Sequence, residues 1–515
     1  MSGFSRQHPG RSDNGGRSSG SAHRESRDQR GPGLPYDRAE YRGSSELRVI
    51  ADAYMPRGEA VTPWGGMPLV IWQGIPGEKA LVQVEHRGSN NIHGRFVGSP
   101  EPHPHRVEPP CDKYNACGGC PWMHLNANGQ EDGRRMLIAD ALREVGLTHL
   151  PIGRFYPSPE GLRDFRHVIK VAVGHSDNGR IRVGAWGRRN RHVIPIPDCG
   201  VAAPVLRRVM GSFAHHVIEL DLHPFEPEQG RGILRVAVMR ASRTTGQVLV
   251  TLVASRRIPA LEDLAERLAA SESSVAGVWL HINDGPGNAI FARDGEGVVG
   301  VSHLIGKETI EETLNGVRYR VGPGDFFQTN PGMAEVLYDR VIGRLDLQDG
   351  NAFLDLYSGV GGIALQAATK TGWALGVEEV EGAVQRAREA AQLNKVSAEF
   401  LAGRVEDVMP EVSRRLEGSR PVIAVNPARR GLEPGVVDAI LALDPMRVAY
   451  VSCNPRAMAR DLALFRAGGL EPGEIEMFDM FPNTAHVETL VVLEGRKSAP
   501  GEAVRRAPRR RVVRD

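Results

Sequence analysis

Leu354-Asp355-Leu356-Tyr357-Ser358-Gly359-Val360-Gly361-Gly362 reads as an apolar strand carrying an acid, followed by a glycine-rich turn. A helix-like stretch, Ile363 to Thr369, comes next, and a second strand, Ala374-Leu375-Gly376-Val377-Glu378, closes on a carboxylate. This is the opening of a doubly wound α/β domain. Its glycines let the backbone approach a nucleotide-like ligand, and Glu378 can take a pair of ribose hydroxyls. Outward from there, Val448-Ala449-Tyr450-Val451 is a later strand of the same sheet. It delivers Cys453, within Ser452-Cys453-Asn454-Pro455, to the rim where such sheets bind ligands. Asn-Pro stops the strand and exposes the loop. A third strand, Val422 to Val425, offers Asn426 to the same rim, and Glu488 precedes the closing strand Leu490-Val491-Val492-Leu493. A nucleoside-cofactor fold with a thiol at its rim points to methyl transfer through a covalent enzyme–base adduct.

With 515 residues the chain is too long for one core, so several domains are expected. A net charge of +2 conceals local asymmetry. Residues 1–45 are low in aliphatic side chains and rich in Gly, Ser and Arg, and residues 496–515 carry Arg505, Arg506, Arg509, Arg510, Arg511 and Arg514. Both ends are expected to be disordered and basic. No run reaches the ~18 to 20 apolar residues that span a bilayer, and no apolar signal core opens the chain. A cytoplasmic, monomeric protein with no membrane partner is the expectation.

Residues 46–105 alternate short strands with Gly/Pro turns: Leu47 to Ile50, Val70 to Trp72, and Ala80 to Val84. That pattern predicts a small five-strand barrel of the oligonucleotide-binding type. Residues 106–325 form a central domain in which strand-like runs dominate, such as Val168 to Val173 and Gly232 to Val238. Arg180, Arg182, Arg188, Arg189, Arg191 and His192 interleave there with Trp186 on a hairpin, a surface suited to RNA. From 326 to 495 helices and strands alternate, as a parallel sheet requires. The expected architecture is thus multidomain α/β plus β: a Rossmann-like domain, an N-terminal barrel and a β-rich centre.

Cys111, Cys117-Gly118-Gly119-Cys120 and the distant Cys199 give C-x5-C-x2-C with a separate fourth thiol. Four thiolates hold either structural zinc or an iron–sulfur cluster. Zinc sites usually pair two C-x2-C knuckles, which this spacing lacks, so a closed 4Fe–4S cluster is favoured.

These motifs closely resemble one family, the RNA uracil-5 methyltransferases, and within it the bacterial 23S ribosomal RNA (uracil-5-)-methyltransferases of the RumA/RlmD type. The resemblance covers about residues 47–494. It rests on the cysteine pattern, Asp325-Phe326-Phe327-Gln328-Thr329-Asn330, the glycine turn, Asn426-Pro427-Ala428-Arg429-Arg430-Gly431, Ser452-Cys453-Asn454-Pro455, and the segment from Phe481 to Glu488. It implies a class I S-adenosylmethionine methyltransferase domain with a TRAM barrel in front. It further implies that Cys453 is the nucleophile and Glu488 the proton acceptor. Gln328, Tyr357, Gly362 and Glu378 fall at S-adenosylmethionine positions, Asn426 lies between cofactor and target base, and Cys111, Cys117, Cys120 and Cys199 fall at the 4Fe–4S ligands. RNA, specifically 23S ribosomal RNA, is the implied substrate.

The chain departs from the family at three points. Asn426 stands where Asp is usual, Ser358 to Gly362 replaces Cys-Gly-x-Gly-Asn, and Asn483 stands where His is common. Asn426 keeps both a donor and an acceptor for a uracil edge. Two further readings are the same reaction on transfer RNA and an RNA-binding or assembly protein of this fold without full turnover.

Overall fold

Eight strands build the sheet that carries the site. In spatial order they are Ala398–Ala402, Ala374–Glu378, Phe353–Leu356, Val422–Val425, Arg447–Ser452, Glu488–Glu494, Glu471–Phe478 and Ile152–Tyr156. The first five pair in parallel. Glu488–Glu494 runs antiparallel to both of its neighbours. The chain order reverses between Phe353–Leu356 and Val422–Val425, and such a switch point opens a ligand crevice at the carboxyl ends of the strands. The computed structural model describes residues 46–495 apart from 177, 189–191, 286, 288–289, 292, 295–296 and 299. The two basic ends, 1–45 and 496–515, and Arg189 and Arg191 of the hairpin lie outside the described residues.

Both faces of this sheet are covered, which is why its strands read as continuous apolar runs. Phe353, Ala449, Val451 and Leu490 pack on one side with Leu337, Val341, Ala364 and Ala387. Those four come from the helices Pro331–Leu345, Gly362–Thr371 and Glu381–Asn394. Leu354, Val425, Val448 and Tyr450 point to the other side, against Ile138, Met409, Ile440, Leu462 and Phe465. Successive strand residues alternate faces, so one strand serves both cores.

Ile138 belongs to the helix Ala127–Glu144, and Ile152–Tyr156 is the last strand of the sheet. Residues 127–156, expected in the central domain, therefore join the methyltransferase layer instead. The hairpin Ile310–Leu314/Val317–Val321 also packs there through Leu314, Val317, Tyr319 and Val321. Contiguity along the chain suggested otherwise; the apolar faces of these elements are completed by residues far away in sequence.

The N-terminal sheet has six strands rather than the expected five, in the order Glu46–Ile50, Lys79–Arg87, Ile92–Gly98, Met67–Trp72, Ala60–Trp64, Ala53–Tyr54. Its two end strands are consecutive in sequence, so the sheet curls to bring the joined ends of its edge strands near each other. The extra strand arises because the first run breaks after Ile50. The central sheet has seven strands from Val168–His175 to Val301–Gly306, and two helices, Pro204–Glu219 and Pro259–Ser271, cover one face. Pattern reading passed over both helices; the first is rich in β-branched and aromatic residues, which carry no helical signal of their own. Among the described residues no helix is long and apolar enough to cross a membrane.

Phe465 is fully buried between Tyr450 and the second core. Phe465→Ala is expected to cost about 3–5 kcal/mol, measured as a fall in the urea midpoint at constant slope.

Candidate active site

At the head of Phe353–Leu356 the backbone turns sharply. Tyr357 has φ +62°, in the left-handed region that side chains rarely adopt, and Gly361 has φ +84°. A Cβ on Gly361 would lie 2.9 Å from the ring of Phe400, so only glycine fits there. The carboxylate of Glu378 holds this turn, accepting from the Gly359 N–H at 3.0 Å and the Val380 N–H at 3.0 Å. Each oxygen retains a lone pair for further donors, and burial raises the carboxyl above its ordinary range.

Beneath the turn lies Asp355, whose role the sequence did not disclose. Its Oδ2 accepts from the Ala364 N–H at 2.9 Å, capping the helix that begins at Gly362, while Oδ1 is buried without a hydrogen-bond partner. Burial pushes it up to about 7. Gln328 is buried beside the Tyr338 hydroxyl, to which it hydrogen-bonds. A Cβ on Gly362 would come within 2.9 Å of that same hydroxyl. Tyr338 thus connects Gln328 to the glycine turn, although nothing in its local sequence marks it.

Cys453 and Glu488 meet through strand register. Ser452 pairs with Thr489 in the antiparallel ladder of Arg447–Ser452 and Glu488–Glu494. The next residue on either side, Cys453 and Glu488, therefore stand opposite each other at the strand ends. Glu488 is itself the first residue of the closing strand, not a residue ahead of it. Burial pushes its carboxyl up to about 8, with Arg429 opposing. Burial also pushes the Cys453 thiol up to about 11; Glu488 adds to the rise, and Arg429 opposes it through its charge and a hydrogen bond. The Asn454 side chain fixes Arg429, donating to its carbonyl at 2.8 Å, and also caps the helix Pro455–Ala467. Asn426 follows Val425 at the same rim, its N–H donating to the Leu356 carbonyl at 3.2 Å. Thiol, carboxyl and guanidinium thus share one edge of the sheet with the glycine turn.

The other cysteines gather elsewhere. Cys111, Cys117, Cys120 and Cys199 line one cavity of about 120 Å³, together with Tyr114, Met123 and residues 196–201. None is in a disulfide. Burial pushes the Cys120 thiol up to about 12, and Cys199, Cys117 and Cys111 add to the rise. Tetrahedral zinc would draw the sulfurs to about 3.8 Å apart, given Zn–S of about 2.3 Å. Among the described residues only His215, His216 and Glu219 bring three candidate ligand atoms within 4.8 Å of one another. Four cysteines lining one cavity form a donor set that fits either structural zinc or an iron–sulfur cluster. On the basic hairpin, Arg180, Arg182 and Trp186 are exposed. Arg188 is not a free contact: it lies 4.4 Å over the Trp72 ring and 3.7 Å from Glu85, and its N–H donates to the Ala116 carbonyl.

A glycine turn with an acid-held crevice, and a cysteine facing a buried carboxyl, define a nucleoside-cofactor enzyme of the methyltransferase class. The family described as tRNA (Uracil-5-)-methyltransferase matches residues 245–496. The chain is 30% identical over 442 residues to an uncharacterized RNA methyltransferase of Caldanaerobacter subterraneus subsp. tengcongensis, covering 85% of this chain and 95% of that one. A second uncharacterized RNA methyltransferase, from Halalkalibacterium halodurans, is 31% identical over 441 residues, covering 85% and 94%. The structure of the tRNA (uracil-54, C5)-methyltransferase of Pyrococcus abyssi, in complex with S-adenosyl-L-homocysteine, aligns with a TM-score of 0.67. Identity is 25%, covering 87% of this chain and 100% of that one. The chain belongs to the RNA uracil-5 methyltransferase family.

The raised carboxyl of Glu488 has a consequence for stability. Folding favours its neutral form, so its contribution is complete below the unfolded value of about 4.5 and is lost as pH rises through about 8. Glu488→Gln is expected to melt about 2–4 °C above wild type at pH 8.5 and to match it at pH 4.5, read by thermal denaturation.

Proposed function

We propose that this enzyme methylates carbon 5 of a specific uridine in RNA through a covalent adduct between Cys453 and carbon 6 of the base. The observation that carries the reading is the opposition of Cys453 and Glu488 across one antiparallel pair, beside the glycine turn. Carbon 5 of uracil is too weak a nucleophile to attack a sulfonium methyl. Addition of the Cys453 thiolate to carbon 6 makes carbon 5 enolate-like. Bound S-adenosylmethionine supplies the methyl group that carbon 5 then takes. Glu488 accepts the carbon 5 proton, carbon 6 expels the sulfur, and the aromatic base is restored.

The other residues have supporting roles. Arg429 favours the thiolate, its charge and hydrogen bond opposing the rise that burial and Glu488 impose on the Cys453 thiol. Gln328, Tyr357, Gly362 and Glu378 would hold S-adenosylmethionine in the crevice, with Glu378 on the ribose. Asn426 offers a donor and an acceptor to the uracil edge. The base must leave its stack to enter, costing a few kcal/mol, less in a loop. Cys111, Cys117, Cys120 and Cys199 would hold a 4Fe–4S cluster in a structural or RNA-positioning role, a reading supported by the one cavity that all four line. The division we propose is a TRAM-type barrel to about 105, a central domain to about 325 and a methyltransferase domain to about 495, with residues 127–156 and the hairpin 310–321 packed on the methyltransferase layer rather than the central one.

Ribosomal 23S RNA is the substrate we favour, on the likeness of the cysteine and barrel motifs to the ribosomal enzymes. Transfer RNA is the second reading, because the Pyrococcus abyssi enzyme spans 87% of this chain. Multidomain architecture by itself therefore does not separate the two. Labelled S-adenosylmethionine offered with unmodified 23S RNA and with transfer RNA should yield 5-methyluridine in the former, identified by nucleoside mass spectrometry. Product in transfer RNA alone would reverse the assignment.

Two substitutions test the chemistry. Cys453→Ala should abolish methyl transfer while RNA affinity, by filter binding, stays within about threefold (under ~1 kcal/mol). Glu488→Gln should slow release about 10²–10⁴-fold and leave an RNA–protein band on a denaturing gel. Turnover without such a band would assign the base to another group.

A further inference from the structure

Glu488 reaches the rim on residues 479–487, a loop with few bonds of its own. Thr484 Oγ1 donates to the Phe481 carbonyl and accepts from the His486 N–H. Much of what holds it comes from the opposite end of the chain. Arg134, on the helix Ala127–Glu144, is fully buried. Its guanidinium donates to the carbonyls of Phe481 (3.3 Å), Thr484 (3.0 Å) and His486 (3.2 Å), and pairs with the Asp479 carboxylate at 2.9 Å. One turn earlier, Gln130 accepts from the Asn483 N–H at 2.7 Å and donates to the Asn483 side chain at 3.3 Å. Asn483 has φ +64°, a left-handed conformation that Asn tolerates better than most residues. Trp122, two residues past Cys120, donates its backbone N–H to the Asn483 carbonyl at 2.9 Å.

Burying a guanidinium is costly, and a well-packed apolar side chain in its place is often no less stable. What Arg134 offers is a planar fork that reaches three carbonyls and a carboxylate together, which Lys cannot reproduce. The carbonyls it holds lie on either side of Asn483, and the last is two residues from Glu488. Moving this loop would displace the Glu488 carboxyl, while Cys453, fixed by its own strand and by the helix capped at Asn454, would stay.

We propose that Arg134, assisted by Gln130, is a positioning residue for the proton acceptor, so that its loss slows elimination more than adduct formation. The inference rests on the roles of Cys453 and Glu488 given above. During elimination the carbon 5 proton passes to the Glu488 carboxylate, the C5–H electrons form the C5–C6 double bond, and the C6–S bond breaks to return the Cys453 thiolate.

The test is single-turnover kinetics on the full protein with labelled RNA, quenched onto denaturing gels, for Arg134→Lys, Gln130→Ala and Glu488→Gln. Arg134→Lys should form methylated adduct within about threefold of the wild-type rate and release it at least tenfold more slowly. Gln130→Ala, the milder change, should act in the same direction by a few-fold and decides the matter if Arg134→Lys does not fold. The pH dependence gives a second readout. Elimination needs ionised Glu488, so its rate rises with pH through that group's pKa, and a carboxyl freed toward water should shift the rise down by about a unit. Equal slowing of both steps, or an unmoved pH profile, would overturn the proposal. If Glu488→Gln traps adduct and neither clamp variant retains it, the clamp fails while the base stands. If Glu488→Gln traps none, the assignment of the base fails first and takes the clamp's role with it.

Discussion

The antiparallel insertion of Glu488–Glu494 beside Arg447–Ser452 is the constraint on which the site depends. A parallel strand there would carry its carboxyl end to the rim and Glu488 to the far edge. Reversed, it brings the start of one strand to the end of the other, and the register sets Glu488 against Cys453. Hydrogen-bonded pairing fixes this juxtaposition more firmly than any side-chain contact would, because a slip of one residue would turn every apolar side chain of the strand to the wrong face. Val491 and Leu493 lie in one core and Leu490 and Val492 in the other, so neither face tolerates a slip.

The same burial that secures this register sets the electrostatics. Glu488 and Cys453 are both held toward their neutral forms by loss of water, and each charge disfavours the other. Arg429, on the exposed turn after Val425, counters both. The thiol and the carboxyl are thus opposed by one cation on a neighbouring loop. Asp355 extends the pattern under the glycine turn, where a buried carboxyl with one unpartnered oxygen closes the helix that faces the crevice.

The architecture also joins the two ends of the chain. The helix Ala127–Glu144 follows the three clustered cysteines, packs through Ile138 and Leu142 on the methyltransferase sheet, and holds the loop before Glu488 through Arg134. Gly58 of the N-terminal sheet accepts from the Trp122 indole at 2.7 Å, and its Cα lies so close to Ala485 that a Cβ would meet that side chain at 2.9 Å. Cysteine segment, N-terminal sheet and the loop before Glu488 therefore share one packed junction.

Local pattern was enough to locate the crevice. Apolar strands ending in acid, glycine or Asn-Pro announce their own boundaries, and the strand, turn and helix from Leu354 to Thr369 stand where the pattern placed them. Cys453, Glu378 and the cysteine spacing were legible for the same reason: each sits at a strand end or in a short motif whose chemistry depends on neighbours in sequence. What tertiary structure alone decided were the partnerships across distance. Arg134 reads as an ordinary helix arginine until the Phe481 and His486 carbonyls close around it, and Arg188 reads as an RNA contact until Trp72 and Glu85 claim it. Asp355 and Tyr338 gain their roles only when a turn folds over them. Sequence records the periodicities that form strands and helices; burial, and with it the energy of every charge in the site, exists only once those elements pack.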